Sequence, residues 1–387
     1  MADLFSNWLF DKRNHALNLY HSFPAPAFAE SPTRTHYLER QVLLEEVKDT
    51  RIPITEVIMP RPVASFCKIL HIPKQISLVQ LKDLKNPDMQ QVRERVMHEL
   101  FSSIDAQESR LMAEHLALLE DGFVLIIPRD FVGSLQLAFI LREVRHFHLL
   151  MLVGENAKIQ ATIDVRSESP YATYVQEAML APGSSLQVIV RESASAGNLF
   201  ICKRYRLGDG SSLRSLSASR AAKTLISTTK IIVDGTGVSS KGHALFLSEE
   251  NGQIEQESQI EHFLPGAQSE TTTRGIAGGT SVVLVRGAIT IHEQAPKTIS
   301  NYEGKVLVIS DEAKANIIPT LKILTNDVVA KHGAAVGHFN EDDIFYLQSR
   351  GLTQNEAKLM LVDGFFAPLL QGLTDADREG LMAFFKR

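Results

Sequence analysis

From about residue 121 to residue 325 the chain shows almost no helical period, and this limits its fold more than any other feature. Short runs rich in Val, Ile, Leu and Thr alternate with turns built on Gly, Asp, Asn, Ser or Pro. The turns are Gly154-Glu155-Asn156, Pro182-Gly183-Ser184, Gly208-Asp209-Gly210, Asp234-Gly235-Thr236-Gly237, Asn251-Gly252, Pro265-Gly266 and Gly278-Gly279. The runs between them, such as Lys158–Val165, Leu186–Arg191, Thr280–Arg286 and Lys305–Ile309, are too short for helices and favour β-branched residues. Such a stretch suits a sandwich, a barrel or a solenoid. The recurring pattern of Gly or Asp, a small residue, then alternating apolar positions favours a solenoid, in which each turn buries its apolar face on its neighbours. No six-residue period holds, which disfavours a left-handed hexapeptide helix. The expectation is a mainly β protein with a right-handed parallel β-helix core at 121–339, between helical regions at 1–120 and 340–387.

The flanks read differently. Val92, Val96, Leu100, Ile104, Leu111 and Leu118 recur at helical spacing and predict one helical run over 91–119. Before it, Phe23-Pro24-Ala25-Pro26 and Met59-Pro60-Arg61-Pro62 break any helix, and the region reads as a cap or a partner-facing domain. After the core, Asn340 with Glu341-Asp342-Asp343 forms a helix start, and Gly351 suits its C′ position. Thr353-Gln354-Asn355-Glu356 is a capping box, opening a helix with Ala357, Met360, Leu361 and Gly364-Phe365 on its apolar side. Thr374-Asp375-Ala376-Asp377 opens a third helix, ending at Phe384 and Phe385.

Composition excludes several functions. A net charge of −5 argues against nonspecific nucleic-acid binding. The apolar stretch from Leu135 to Val153 is interrupted by Arg142, Glu143, Arg145, His146 and His148, so no membrane span is expected. The N-terminus has no basic segment followed by an apolar core, which predicts a cytoplasmic protein. Its two cysteines, Cys67 and Cys202, cannot by themselves hold a four-thiolate iron–sulfur cluster. No phosphate-binding G-x-x-x-x-G-K-[ST] occurs: Gly235-Thr236-Gly237-Val238-Ser239-Ser240-Lys241 lacks the spacing, and no ATP hydrolysis is expected.

The histidines are the remaining chemical signals. His146 and His148 flank Phe147, so both point to one face of a strand; two half-exposed residues on a sheet edge is the stronger reading, a shared metal the weaker. His262 and His292 lie beside Glu261 and Glu293, and a surface ion pair explains them as well as a functional site does. His332 lies among small residues, Gly333-Ala334-Ala335-Val336-Gly337, which permit close backbone approach, for instance by another subunit; the plainer reading is a histidine in a tight connection.

Together, Ala315-Asn316-Ile317-Ile318-Pro319-Thr320-Leu321-Lys322-Ile323, Asp327-Val328, His332-Gly333-Ala334-Ala335-Val336-Gly337 and Ile344-Phe345-Tyr346-Leu347-Gln348-Ser349-Arg350-Gly351-Leu352, followed by Ala357, Leu361 and Gly364-Phe365, resemble the SufB/SufD family. Weaker likeness reaches back through Arg286-Gly287 and Arg274-Gly275-Ile276 to Pro265 and His262, and Pro32-Thr33-Arg34 is weakly similar to an N-terminal element of the SufD type. The resemblance implies a right-handed parallel β-helix that pairs with a SufB-like subunit, and C-terminal helices that bind a SufC-like ABC-type ATPase. It implies a non-catalytic scaffold on which nascent iron–sulfur clusters form, holding no stable cofactor alone, with reduced flavin able to join the complex and a homodimer able to form in isolation. The shorter chain and the lack of cysteine after Cys202 favour the SufD type. By the same resemblance, His332 is the cluster-assembly residue at the subunit seam, sharing iron with the partner. Phe345, Tyr346, Leu347, Arg350, Leu361 and Phe365 face the ATPase. Ala330-Lys331 departs from the Cys-Ser of many relatives, so a thiol is lost there.

Two other functions compete. A β-helix polysaccharide lyase or hydrolase would use Glu255, Glu257 and Glu261, whose even spacing puts three carboxylates on one strand face, although a solvated strand face is the stronger reading of them. A purely structural scaffold member would need no chemistry from His332.

Overall fold

The computed structural model describes residues 4–23, 66–142, 144–195, 197–338 and 341–386. The two proline pairs, Pro32-Thr33-Arg34 and Asn340 lie outside the described residues. Helix α1 (Leu4–Ser22) comes first, followed by the short strands β1 (Cys67–His71) and β2 (Ser77–Gln80). Where one helix is predicted over 91–119 there are two, α2 (Gln90–Glu99) and α3 (Arg110–Leu118). The break follows Leu100, at Phe101, whose φ of 66° lies in the left-handed region that no α-helix tolerates. Ser109 then caps α3 by accepting from the Met112 N–H.

Sixteen strands follow. β3 (Asp121–Ile127), β5 (His146–Val153), β7 (Tyr171–Leu180), β9 (Asn198–Leu207), β11 (Thr224–Val233), β13 (Gln253–His262), β15 (Val282–Ile291) and β17 (Lys314–Ile323) form the first sheet. β4 (Val132–Leu141), β6 (Lys158–Ser167), β8 (Ser185–Ala194), β10 (Ser212–Ala221), β12 (Ser239–Ser248), β14 (Gln268–Ala277), β16 (Thr298–Val308) and β18 (Val328–His338) form the second. Each odd strand leads into the next even one, and like strands of successive turns pair in parallel, giving a parallel β-solenoid of about eight turns. Ser185 pairs with Ser212 and Ser212 with Ser239, a turn of 27 residues.

Period-two alternation builds this core. In β6, Ile159, Ala161, Ile163 and Val165 are buried while Lys158, Gln160 and Arg166 are exposed. β7 is buried at every position because both its faces are covered: Tyr174 and Ala178 join the solenoid interior, and Tyr171 and Val175 pack beneath α1 and α3. In each of the first seven turns one residue adopts a left-handed φ at the same corner: Asp130, Asn156, Gly183, Gly210, Gly237, Gly266 and Lys297. Turn chemistry and solenoid pitch are therefore the same sequence signal.

Helix α4 (Glu341–Ser349) follows the solenoid, ended by Gly351 at φ 96°. Helix α5 (Gln354–Phe366) starts with the expected capping box on Thr353 and Glu356, and α6 (Asp375–Phe385) is capped by Thr374. Val362, Phe366, Leu369, Leu370, Leu381 and Phe385 bury against Ile189, Leu216, Leu245 and Ile276 on the outer face of the second sheet. Arg274 donates 2.5 Å to the Phe365 carbonyl, satisfying an acceptor that the end of α5 leaves open. Met360 departs from expectation: it lies on the exposed side of α5 beside Leu359. Among the described residues, no helix is long and apolar enough to cross a membrane.

Candidate functional site

The two ends of the solenoid are finished differently. At the N-terminal end, β1 pairs antiparallel with β4 and β2 antiparallel with β3, closing both sheets with strands of opposite sense. At the C-terminal end, β17 and β18 are the last strands of their sheets, and most of their residues are exposed or half-buried. Val329, Val336, Ile299, Ile323 and Leu324 are exposed there, Val329 at 51%.

His332 lies within β18, not in a connection, and pairs in register with Tyr302 of the turn below. It shares strand parity with Val328 and Ala330, which pack against the interior core, so it belongs to the inward-facing row. It is nonetheless exposed, because no further turn covers it. A Cβ added at Gly333 would meet nothing within 4 Å, so the neighbouring backbone is open to close approach. Tyr302 forms a floor beneath this end: its ring crosses the interior to Gly287, where an added Cβ would fall 1.9 Å from the ring. Burial pushes its hydroxyl up to about 12.

The helix positions singled out by the sequence divide into two groups. Phe345, Tyr346 and Arg350 on and after α4 are exposed, with the Arg350 guanidinium 5.8 Å from the Tyr346 ring centroid. Leu347, Leu361 and Phe365 are half-buried, and the Phe365 ring stacks under Arg274. Sequence reasoning missed that Leu359 and Met360 on α5 are also exposed apolar side chains.

Neither cysteine is available for metal chemistry in this state. Cys67 is buried in the interior and Cys202 beneath the helices, and burial pushes their thiols up to about 12 and about 11. Among the described residues, no three His, Cys, Asp or Glu side chains gather closely enough to hold a metal ion.

The expected edge histidines are instead a buried network. His146 and His148 lie on β5, a central strand covered by α3. Glu177 accepts from His148 Nε2 at 3.0 Å, from the Phe101 N–H at 2.7 Å and from the Ser103 N–H at 3.0 Å. His148 Nδ1 is 3.2 Å from His115 Nε2, and Thr173 Oγ1 is 2.7 Å from His115 Nδ1 and 2.9 Å from His146 Nδ1. Hydrogen bonds thus link His146 through Thr173, His115 and His148 to the Glu177 carboxylate. Burial alone would raise Glu177, but the donors from His148 and Ser103 overcome it and hold the carboxyl below its ordinary value. Burial drives His115 well below the ordinary histidine value and His146 to about 3. This network ties the loop after α2 and helix α3 to the first sheet.

His262 also departs from expectation. It is buried inside the solenoid, its Nε2 3.0 Å from Ser269 Oγ, and burial lowers it to about 4. His292 reaches a carboxylate, but that of Glu261, 2.8 Å away on the preceding turn, and not that of its neighbour Glu293. Glu255, Glu257 and Glu261 share the outer face of β13, but each is engaged: Glu255 by Arg286, Glu257 by the Gln259 amide and Glu261 by Lys230 as well as His292. Two carboxylates paired with cations and a third bonded to an amide do not make the acid and base pair that glycoside chemistry needs.

The family model described as "SUF system FeS cluster assembly, SufBD core domain" matches residues 140–365, more than half of the chain. The chain is 24% identical over 288 residues to the iron–sulfur cluster assembly SufBD family protein ML0594 of Mycobacterium leprae, covering 71% of this chain and 74% of that protein. It is 23% identical over 283 residues to the iron–sulfur cluster assembly protein SufD of Bacillus subtilis, covering 70% of this chain and 64% of the relative. A SufBD family protein of Pyrococcus horikoshii, PH1385, is 25% identical over 307 residues, covering 72% of this chain and 64% of its own length. The chain thus spans about two thirds to three quarters of these relatives.

Proposed function

The chain belongs to the SufBD core family of the SUF iron–sulfur cluster assembly system, and from that premise we propose that it is a cytoplasmic, SufD-like scaffold subunit. In this reading the open end of the solenoid docks a SufB-like subunit, and the nascent cluster, as cargo, forms at the seam beside His332. The single observation that carries the reading is the asymmetry of the ends: strands close the first turn, while the last exposes two sheet edges around an inward-row histidine. Exposed parallel edges are templates for strand addition, and imidazole is a ligand for iron or an acceptor for a proton. With both thiols buried, sulfur ligands come from the partner or the cargo.

The exposed Phe345, Tyr346, Leu359 and Met360 surface is the docking site for a SufC-like ABC-type ATPase, which performs ATP hydrolysis. The test is purification of the complex with both partners, followed by anaerobic reconstitution read at the iron–sulfur absorbance bands; bound reduced flavin is read in the same preparation after oxidation. His332→Ala is expected to leave the complex assembled and lose most of the cluster signal. Normal cluster yield from that variant complex defeats the assignment of His332. A particle containing two copies of this chain and no partner would make the open end a homodimer face.

A further inference from the structure

A chain of hydroxyls inside the solenoid leads to the open end. Ser240, Ser269, Ser300 and Ala330 occupy one inward lane in register on β12, β14, β16 and β18. His262 Nε2 is 3.0 Å from Ser269 Oγ, and Ser269 Oγ is 2.7 Å from Ser300 Oγ. All three side chains are more than nine-tenths buried, and Ser300 is wholly so. His262 Nδ1 has no hydrogen-bond partner. A buried N–H without an acceptor is the rarer orphan, so the ring hydrogen belongs on Nε2. His262 then donates to Ser269, Ser269 donates to Ser300, and Ser300 keeps a hydrogen of its own to give. The next residue in its lane is Ala330, half-buried against the interior core on the last strand of the sheet, with no side-chain atom beyond its methyl. A polarised donor one strand below Ala330, in the inward row that also carries the exposed His332, suits an anion, and hydrogen bonds to ionised acceptors are the stronger kind.

We propose that Ser300 is a positioning residue whose hydroxyl donates to a sulfide of the nascent cluster seated over Ala330, beside His332. This rests on the assembly role proposed above and adds the donor that would hold the sulfur.

An introduced thiol at the same place probes the donor without any partner. The full-length Ala330→Cys protein is alkylated with iodoacetamide near neutral pH, with Ser300 intact, as Ser300→Ala and as Ser300→Thr. The native thiols are silent, being buried and held at about 12 and about 11. Losing a donor that lowers the thiol by one pKa unit cuts the thiolate about tenfold, and the gain in intrinsic nucleophilicity returns about threefold, so a net slowing of about threefold is expected. Ser300→Thr, which keeps the hydroxyl, is expected to restore the rate. Equal rates with Ser300 and with Ala at that position overturn the donor. The second measurement is cluster yield in the complex with Ala330 native: Ser300→Ala is expected to reduce it and Ser300→Thr to recover it. Full yield from Ser300→Ala overturns the positioning role even if the alkylation rates differ. Failure of the assembly reading shows separately, as normal yield from His332→Ala, and leaves the alkylation result unaffected.

Discussion

Lowering pH from 8 to 5 should remove much of this protein's stability, because several histidines are buried in the neutral form. His146 is held at about 3, and His243 and His262 at about 4, against an ordinary 6.5, in each case chiefly by burial. Their folded values lie below their unfolded ones, so below pH 6.5 the unfolded chain binds more protons. Stability is therefore complete above that pH and is lost as pH falls towards the folded values. pH 5 lies about 1.5 pH units below the unfolded value, which at about 1.4 kcal/mol per unit costs about 2 kcal/mol per histidine, or about 6 for the three. His115, driven in the same direction, adds to the loss. Asp121 opposes it: burial raises its carboxyl to about 6, so its protonation on acidification returns about 1 kcal/mol. The carboxylates held low, Glu177 and Glu261, lose their contribution only below about pH 4.5, outside this window. The net loss of about 5 kcal/mol compares with a total of about 5–15 kcal/mol for a typical domain. Urea unfolding at each pH measures it. Trp8, the sole tryptophan, stacks on Phe101 at 5.8 Å, and the Phe101 N–H bonds Glu177, so its fluorescence reports the helix layer while far-ultraviolet circular dichroism follows the solenoid. His146→Gln should lower the slope near pH 5 by about 1.4 kcal/mol per pH unit, one proton's worth. Stability unchanged from pH 8 to 5 would refute the reasoning.

Gly287→Ala forces a methyl to within 1.9 Å of the Tyr302 ring, and an overpacking loss of about 1–3 kcal/mol is expected in urea unfolding, largely recovered when Tyr302 is also shortened to Leu. Lys203, inside the solenoid, pairs with buried Glu192 and donates 2.8 Å to Ser227 Oγ. Lys203→Met strands the carboxylate and should cost about 3–5 kcal/mol, whereas the double variant with Glu192→Gln should regain most of it; a double variant no more stable than the single one would show that the stranded charge is not the cause. Phe345→Ala with Tyr346→Ala removes side chains that are 72% and 59% exposed, so the melting temperature should barely move while co-purification of the proposed ATPase partner falls. Undiminished capture would place its docking surface elsewhere.

The solenoid was legible because its turns carry its pitch. Gly183, Gly210 and Gly237 stand 27 residues apart and hold the same left-handed corner, although the variable length of later turns makes the repeat look irregular by eye. The C-terminal caps were legible for the local reason that Thr353, Glu356 and Thr374 bond within a few residues of themselves. Burial of polar residues was not. His146 and His148 look like edge residues only if a strand has one covered face, and the helices that cover the other come from far away in sequence. His262 reads as a surface residue because Glu261 beside it is charged, yet neighbours on a strand face opposite ways: Glu261 outward to Lys230, His262 inward to Ser269. In the same way, parity shows that His332 faces the interior, but only strand order shows that nothing follows it.

That ending is itself written into the chain, and it distinguishes the two free edges. Pro319 lies within β17, opposite Gly287 of β15, and a residue with no N–H is tolerated in a sheet mainly on an edge strand. Lys314 and Lys322 are exposed on the same strand, and charged lysines on an edge discourage indiscriminate pairing. β18 has no proline; it carries one lysine, Lys331, and then Gly333-Ala334-Ala335-Val336-Gly337, whose small side chains offer little obstruction to an approaching backbone. A strand added to β17 would lose hydrogen-bonding capacity at Pro319 and meet two ammonium groups, whereas one added to β18 would meet neither penalty in full. The edge better suited to accept a partner strand is therefore the one that carries His332 and Ala330, which places docking and the residues proposed for chemistry on a single strand.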